Sequence, residues 1–376
     1  MFPKNKKQKI LFLIPTLMNG GAERVLVNLV NHLNHEQFDI SVKTLMNEGR
    51  YINQLAEYIH YSYVFKRLYR GTRLLFNLFS PSFLYKKIIG DDYDIVVSYL
   101  EGPTARIVSG GKNPKVKKVC WIHIELNDKK TFSLGFRSFS EAQTLYKKFD
   151  KIICVSETVR KIFMDVSRVD KDAIVLYNTN NTSDILQKAN EDVDDVYFDP
   201  EFINICSVAK IEFSKGYDRL LNIHKDLINL GIKHRIYIIG EGSERIHLEN
   251  LAKKYNLQNS FIFLGYRENP YKYMNCCDIY VCSSRREGFS TAVTEALILG
   301  IPVVSTNCSG AYELLGYKNE YGIVTENDEK SLMEGLLQLL QNKDLIKKYA
   351  KTAKERGSYF SLDNTVKAVE QMFNNL

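Results

Sequence analysis

Two carboxylates stand eight positions apart in the stretch Ser283-Ser284-Arg285-Arg286-Glu287-Gly288-Phe289-Ser290-Thr291-Ala292-Val293-Thr294-Glu295-Ala296-Leu297. The stretch leaves an apolar strand and enters an apolar-patterned helix. A helix beginning near Ser290 or Thr291 turns its first backbone N–H groups and its positive dipole end toward the preceding loop, which suits a diphosphate. Phosphates would repel Glu287 and Glu295, so the carboxylates are better matched to hydroxyl donors such as sugars offer. The plainer alternative is that Glu295 complements the helix dipole and Glu287 is a solvated turn residue.

A second group, Ser207-Val208-Ala209-Lys210-Ile211-Glu212-Phe213-Ser214-Lys215-Gly216, places Lys210 and Lys215 on a loop between a strand and a helix. Facing the same cleft, two ammonium groups would neutralise a departing pyrophosphate; solvated surface lysines are the alternative. Gly20 and Gly21 join the first strand to the first helix, where the lack of side chains lets a ligand approach the backbone. His123 follows the apolar strand Val119–Ile122, at the end of a strand where active residues gather in open α/β sheets. It could equally be a satisfied core histidine. Neither Gly20-Gly21-Ala22-Glu23-Arg24 nor Gly240-Glu241-Gly242-Ser243-Glu244-Arg245 completes G-x-G-x-x-G, which removes most of the support for a nicotinamide cofactor. Asp92-Tyr93-Asp94 spells D-x-D but lies at the amino end of a strand, so it reads as a turn with solvated carboxylates. No metal and no cofactor are expected.

These residues need a scaffold that gathers loops at one edge. Continuous apolar runs at Lys9–Ile14, Ile40–Thr44, Ile95–Ser98, Val119–Ile122 and Ile152–Val155 alternate with helical spacings at Ala22–Leu33, Ser140–Phe149 and Glu157–Val166. From Asn178 to Pro200 the chain turns polar and acidic. The alternation then restarts, with strands at Phe202–Val208, Arg235–Ile239, Phe261–Leu264, Ile279–Cys282 and Val303–Ser305. Helices are expected at Asp218–Leu230, Glu244–Tyr255, Thr291–Leu299 and Lys330–Leu340. The fold class is therefore α/β, with two doubly wound Rossmann-like domains facing a cleft. We place an acceptor-binding domain at 1–180, with a terminal helix over 361–376 packing back on it, and a nucleotide-binding domain at 200–360.

Composition fits such a chain. The 376 residues are 45% hydrophobic and 25% charged, enough for two packed cores and too apolar for global disorder. Seven cysteines without C-x-x-C spacing read as reduced, buried thiols of a cytoplasmic protein. The net charge of +7 is unevenly spread. Residues 1–178 hold 28 Lys+Arg against 17 Asp+Glu, whereas the rest of the chain is acidic. Between Tyr58 and Gly90 there is no acidic residue, while Lys66, Arg67, Arg70, Arg73, Lys86 and Lys87 are present. At helical spacing Phe65, Leu68, Tyr69, Leu75, Phe76 and Phe79 share one face and the first four cations the other, although Gly71, Leu74 and Leu78 weaken the pattern. The 64–90 segment thus reads either as a seat on an anionic membrane surface or as an ordinary helix with a solvated basic face.

Taken together, these motifs resemble retaining glycosyltransferase family 4, whose members have the GT-B fold and include bacterial surface-polysaccharide enzymes. The E-x7-E signature matches Glu287 to Glu295, and a strand-end basic residue followed by Lys-Gly matches Lys210 through Lys215-Gly216. Gly265-Tyr266-Arg267-Glu268-Asn269-Pro270-Tyr271 and Ala296 through Val304 fit the flanking runs. The likeness covers roughly 201–326, and more loosely 8–34 and 119–178, where Trp121-Ile122-His123 and Asn178 lie. It implies a metal-independent transfer of a hexose-type sugar from a UDP-sugar or similar donor to a lipid-linked or glycan acceptor, without a covalent nucleophile. By the same resemblance Glu287 would contact the transferred sugar and Glu295 the ribose. Lys210, Lys215 and the backbone of Gly288, Phe289, Ser290 and Thr291 would hold the diphosphate. Tyr266 and Arg267 would frame the base, Gly20 and Gly21 would border the donor, and His123 would sit beside the anomeric centre. The family usually has Arg where this chain has Lys210, replacing a bidentate fork with a point charge, and many members have Gly at the place of Ser290. Localisation would be cytoplasmic, and peripheral at the inner membrane face if the 64–90 segment meets lipid. A nucleotide-sugar epimerase on the same fold is the alternative enzyme reading. A basic nucleic-acid-binding protein is disfavoured, because the cations lack base-stacking aromatics in a recognisable module and the second half is acidic.

Overall fold

The structure is a computed structural model that describes residues 7–18, 20–67, 76–169 and 173–376. The chain divides into two compact units, one formed by Met1–Thr179 with Leu362–Leu376 and the other by Asn180–Ser361.

The first unit is built on a wholly parallel sheet of β1 (Gln8–Ile14), β2 (Phe38–Met46), β3 (His60–Phe65), β4 (Ile95–Ser98), β5 (Lys117–Ile122), β6 (Lys151–Cys154) and β7 (Ala173–Val175). Its spatial order is β3-β2-β1-β4-β5-β6-β7. Ile10 to Ile14 are fully buried, as a central strand covered on both faces requires. The helix Gly21–Val30 buries Val25, Leu26, Val27, Leu29 and Val30, of which Val25, Leu26, Leu29 and Val30 follow the 3–4 spacing of an amphipathic helix. The terminal helix Leu362–Asn374 belongs to this unit and sets Phe373 edge-on to Phe12 and Phe38, each with ring centroids 6.0 Å apart.

The second unit repeats the plan. Its parallel strands are β8 (Ile203–Val208), β9 (His234–Ile239), β10 (Phe261–Gly265), β11 (Ile279–Cys282), β12 (Val303–Thr306) and β13 (Ile323–Thr325), in the order β10-β9-β8-β11-β12-β13. The helix Thr291–Leu299 is apolar nearly all round and packs on the helix Lys343–Tyr359. Gly357 allows that close approach, because a Cβ there would stand 2.6 Å from Leu297 O. At the amino end of β9 a buried chain links two histidines. His234 Nδ1–H donates to Ile232 O at 3.0 Å, which leaves its Nε2 to accept from His224 Nδ1–H at 2.8 Å. Ser260 Oγ lies 2.8 Å from His224 Nε2 and completes the line.

Several elements depart from the sequence reading. Phe65 ends β3 and so cannot open a helix; it meets Phe76 edge-on at 6.0 Å instead. Leu68, Tyr69, Arg70, Gly71, Arg73, Leu74 and Leu75 of the expected amphipathic helix lie outside the described residues. Cys276 is exposed rather than buried. Asp94 directs a carboxylate oxygen to the Lys9 N–H at 2.8 Å, joining β4 to β1 at their amino ends. Among the described residues no helix is long and apolar enough to cross a membrane.

Candidate active site

In the second unit the chain winds outward from β8 through β9 to β10, then returns to the other side of β8 at β11. From the loops leaving β8 and β11 the chain therefore runs on to opposite sides, to β9 and to β12, the arrangement at which open α/β sheets form a crevice. These two loops carry Lys210, Lys215 and Glu287. Lys215 Nζ donates to Glu287 Oε1 at 2.8 Å, and Ser284 Oγ donates to the same oxygen at 2.6 Å. No donor among the described residues reaches Oε2. Burial pulls the Lys215 ammonium down, but the charge of Glu287 and their hydrogen bond outweigh it, so the group is held above its ordinary value. Lys210 is exposed and makes no ion pair among the described residues. The segments 209–219 and 283–290 together hold five cationic and three acidic side chains, an excess that favours an anionic ligand.

Gly216 explains the glycine after Lys215. It adopts φ +68° and opens the helix Tyr217–Asn229, and a Cβ there would lie 2.1 Å from Ser283 O. The two loops thus meet backbone to backbone. Arg285 spans them as well, gripping both oxygens of Asp218 at 2.7 Å each and stacking over Phe213.

Downstream of Glu287, Phe289 turns its buried ring toward Phe360, so the backbone is what the Gly288–Thr291 segment can offer a ligand. Ser290 is the N-cap of the helix Thr291–Leu299, and its Oγ accepts the Val293 N–H at 3.3 Å. The N–H groups of Thr291 and Ala292, in the first turn, have no intrahelical acceptor. Ser290 is therefore committed to the helix end, a role a glycine at that position cannot fill. Glu295 is 1% exposed and receives Tyr271 OH at 3.3 Å. Beyond β10, Tyr266 is exposed, whereas Arg267 pairs with Asp195 at 2.8 Å and stacks over Tyr273.

Gly20, Gly21 and His123 belong to the first unit, at the carboxyl ends of β1 and β5. Gly20 is the N-cap of the helix Gly21–Val30 and supplies no side-chain cap. His123 is 8% exposed, and its buried Nε2 has no hydrogen-bond partner. Burial pushes its pKa down to about 3, so the ring is neutral near pH 7. Its backbone N–H donates to Glu101 Oε2 at 2.9 Å, and Tyr99 packs 4.8 Å from the ring. Burial raises Glu101 above the usual carboxyl range, partly offset by that amide. Glu101, Arg219, Thr306 and Asn327 were not singled out by sequence; each acts on residues far along the chain. Arg219 alone left a local trace, a cation among the core-facing Tyr217, Leu220 and Leu221.

Residues 19–183 match the Glycosyltransferase Family 4 profile and residues 190–356 match Glycosyl transferases group 1. A Campylobacter jejuni relative, N-acetylgalactosamine-N,N'-diacetylbacillosaminyl-diphospho-undecaprenol 4-alpha-N-acetylgalactosaminyltransferase, is 30% identical over 94% of this chain and 96% of its own length. The chain belongs to the family 4 glycosyltransferases. The amylovoran biosynthesis glycosyltransferase AmsD of Erwinia amylovora is 22% identical over 97% of this glycosyltransferase and 99% of AmsD. Among solved structures, Anabaena Alr3699/HepE in complex with UDP-glucose superposes with a TM-score of 0.76 at 18% identity, covering 98% of this chain and 100% of that one. That likeness shows the glycosyltransferase to have the GT-B fold of two Rossmann-like units.

Proposed function

We propose that this glycosyltransferase moves a hexose-type sugar from a UDP-sugar to a lipid-linked glycan, with retention at the anomeric carbon and without a metal, in cell-surface polysaccharide synthesis. The observation that carries this reading is the contact of Lys215 with Glu287 ahead of the helix Thr291–Leu299. The Campylobacter relative is named for a diphospho-undecaprenol substrate, and the Anabaena structure contains UDP-glucose. In this reading Lys210, Lys215 and the backbone of Gly288–Thr291 hold the diphosphate and neutralise it as it leaves. Glu287, its Oε1 already occupied, presents Oε2 to a sugar hydroxyl. Glu295 takes the ribose, and Tyr266 with Arg267 borders the base. Gly20, Gly21 and the unpartnered Nε2 of His123 serve from the first unit, which receives the acceptor. The departing phosphate assists deprotonation of the acceptor, so no covalent nucleophile is assigned.

The exposed Leu78, Phe79 and Phe83, with Lys66, Arg67, Lys86 and Lys87 also exposed, supply the apolar and cationic groups by which the enzyme would rest on anionic lipid at the cytoplasmic face. Flotation with anionic but not neutral liposomes is the expected result, and equal behaviour ends that part of the reading.

The main test joins a thermal-shift panel of nucleoside diphosphates and nucleotide sugars to turnover of Glu287→Gln. A UDP-sugar should raise the melting point through binding to the folded state. Glu287→Gln should lose about 10²-fold or more in turnover while still binding UDP, the scale expected when a group acting in the transition state is removed. Unimpaired turnover, or epimer formation without any acceptor, overturns the proposal.

A further inference from the structure

Arg219 is a buried cation whose acceptors, among the described residues, are all neutral. It is 6% exposed on the helix Tyr217–Asn229. Its Nε and Nη2 donate to Ser283 O at 2.8 and 2.5 Å. Nη2 also reaches Ser284 O at 2.8 Å and Asn327 Oδ1 at 2.9 Å, and Nη1 reaches Asn327 O at 3.3 Å. The adjacent carboxylate, Asp218, is engaged by Arg285 instead. Burial lowers the Arg219 pKa, and the charge of Arg285 adds to the effect. Burying a guanidinium without a carboxylate is costly, and an apolar side chain would pack a helix face at lower cost. The arrangement is therefore poorly explained by stability alone.

Its acceptors are ordered along the loop that leads to Glu287. Arg219 takes the carbonyl of Ser283 and, with Thr306 Oγ1 at 2.6 Å, that of Ser284; Asn327 Nδ2 takes the carbonyl of Arg285 at 3.1 Å. Three successive carbonyls are thereby fixed, and the middle residue, Ser284, is the one whose hydroxyl holds Glu287. The close approach permitted by Gly216 brings the helix bearing Arg219 against the same loop.

We propose that Arg219 is a positioning residue for Glu287, acting through the Ser283–Arg285 peptides to set the carboxylate toward the sugar of the donor. This inference rests on the role given to Glu287 above.

The test is a double-mutant cycle read as binding. Affinities for UDP and for the UDP-sugar that gives the largest thermal shift are measured by calorimetry on wild type, Arg219→Lys, Glu287→Gln and the double variant. Lysine keeps the charge but not the fork that reaches several carbonyls. Arg219→Lys should weaken the UDP-sugar about tenfold and leave UDP within about twofold, since the phosphate-binding groups are untouched. In the Glu287→Gln background the same change should cost the UDP-sugar nothing further. Equal weakening of both ligands, no weakening of either, or independent effects that multiply would overturn the inference. If Glu287→Gln does not itself weaken the UDP-sugar relative to UDP, the sugar-contact reading of Glu287 fails, a result separate from any behaviour of Arg219. Should Arg219→Lys fail to melt cooperatively, Thr306→Val supplies the same cycle. It removes one hydroxyl from Ser284 O and should give the same pattern at about threefold, with the same outcomes counting against the idea.

Discussion

Replacing Gly216 with alanine separates two costs that are usually merged. The residue sits at φ +68°, where an L side chain loses about 1–2 kcal/mol. Its Cβ would also lie 2.1 Å from Ser283 O, so that oxygen must retreat to at least 3.0 Å before even a tight contact is restored. Ser283 O accepts two bonds from the buried Arg219, and hydrogen bonds to a charged group are worth about 1.5–3 kcal/mol each. Losing roughly one of them brings the total for Gly216→Ala to about 2.5–5 kcal/mol. Gly231→Ala is the internal control: it has φ +78° and nothing within 4 Å of its Cβ, so it should show the backbone cost alone. Urea unfolding followed by far-UV circular dichroism gives both values, and their difference should be about 1.5–3 kcal/mol. Turnover of Gly216→Ala should fall about 10²-fold, because a displacement near 1 Å at a catalytic loop has that effect. Equal stabilities for the two variants, or full activity in Gly216→Ala, would refute the claim that the loops after β8 and β11 are locked by direct backbone approach.

Other expectations concern titration and packing. His224, pushed down to about 3 by burial and then by His234, is neutral in the fold but titrates near 6.5 when unfolded. Its contribution is fully present above pH 6.5 and is lost as pH falls toward 3, by up to about 1.4 kcal/mol per pH unit. A urea midpoint that stays level from pH 7 to pH 5 would contradict this. His123 is also held neutral, so the acid limb of the rate profile should keep its position in His123→Gln while the rate drops; a limb near pH 6.5 that vanishes in the variant would show the opposite. Phe373→Ala should cost about 3–5 kcal/mol as a buried aromatic deletion. The loss should be visible in the fluorescence of Trp121, the lone tryptophan, which shares the first unit with Phe373.

The central strands were legible because burial on both faces forces unbroken apolar runs: Ile95–Ser98 and Ile279–Cys282 coincide with the observed β4 and β11, and the helix Thr291–Leu299 has the expected bounds. The strands that the sequence pattern does not reveal, β3, β7 and β13, are all sheet edges. His60–Phe65 is half solvated and has no long apolar run to read, so local spacing places its last residue on a helical arc. Of the site, Lys215-Gly216 and Glu287 were visible as local spacing, and they meet in space. Arg267 was visible too, but Asp195 engages its charge, a contact no local spacing reveals. Glu101, Arg219, Thr306 and Asn327 were not legible. Their partners lie between 20 and 108 positions away, and only the completed sheet brings them together.

The first unit is assembled from two separated stretches of chain, and the terminal helix Leu362–Asn374 supplies Phe373 to its core. On the ribosome the order of completion is therefore reversed. β1, synthesised long before, waits through the synthesis of the whole stretch Asn180–Ser361 for its last aromatic neighbour. During that interval Phe12 and Phe38 lack their final cover, so the nascent first unit is the part on which a chaperone has the most to hold.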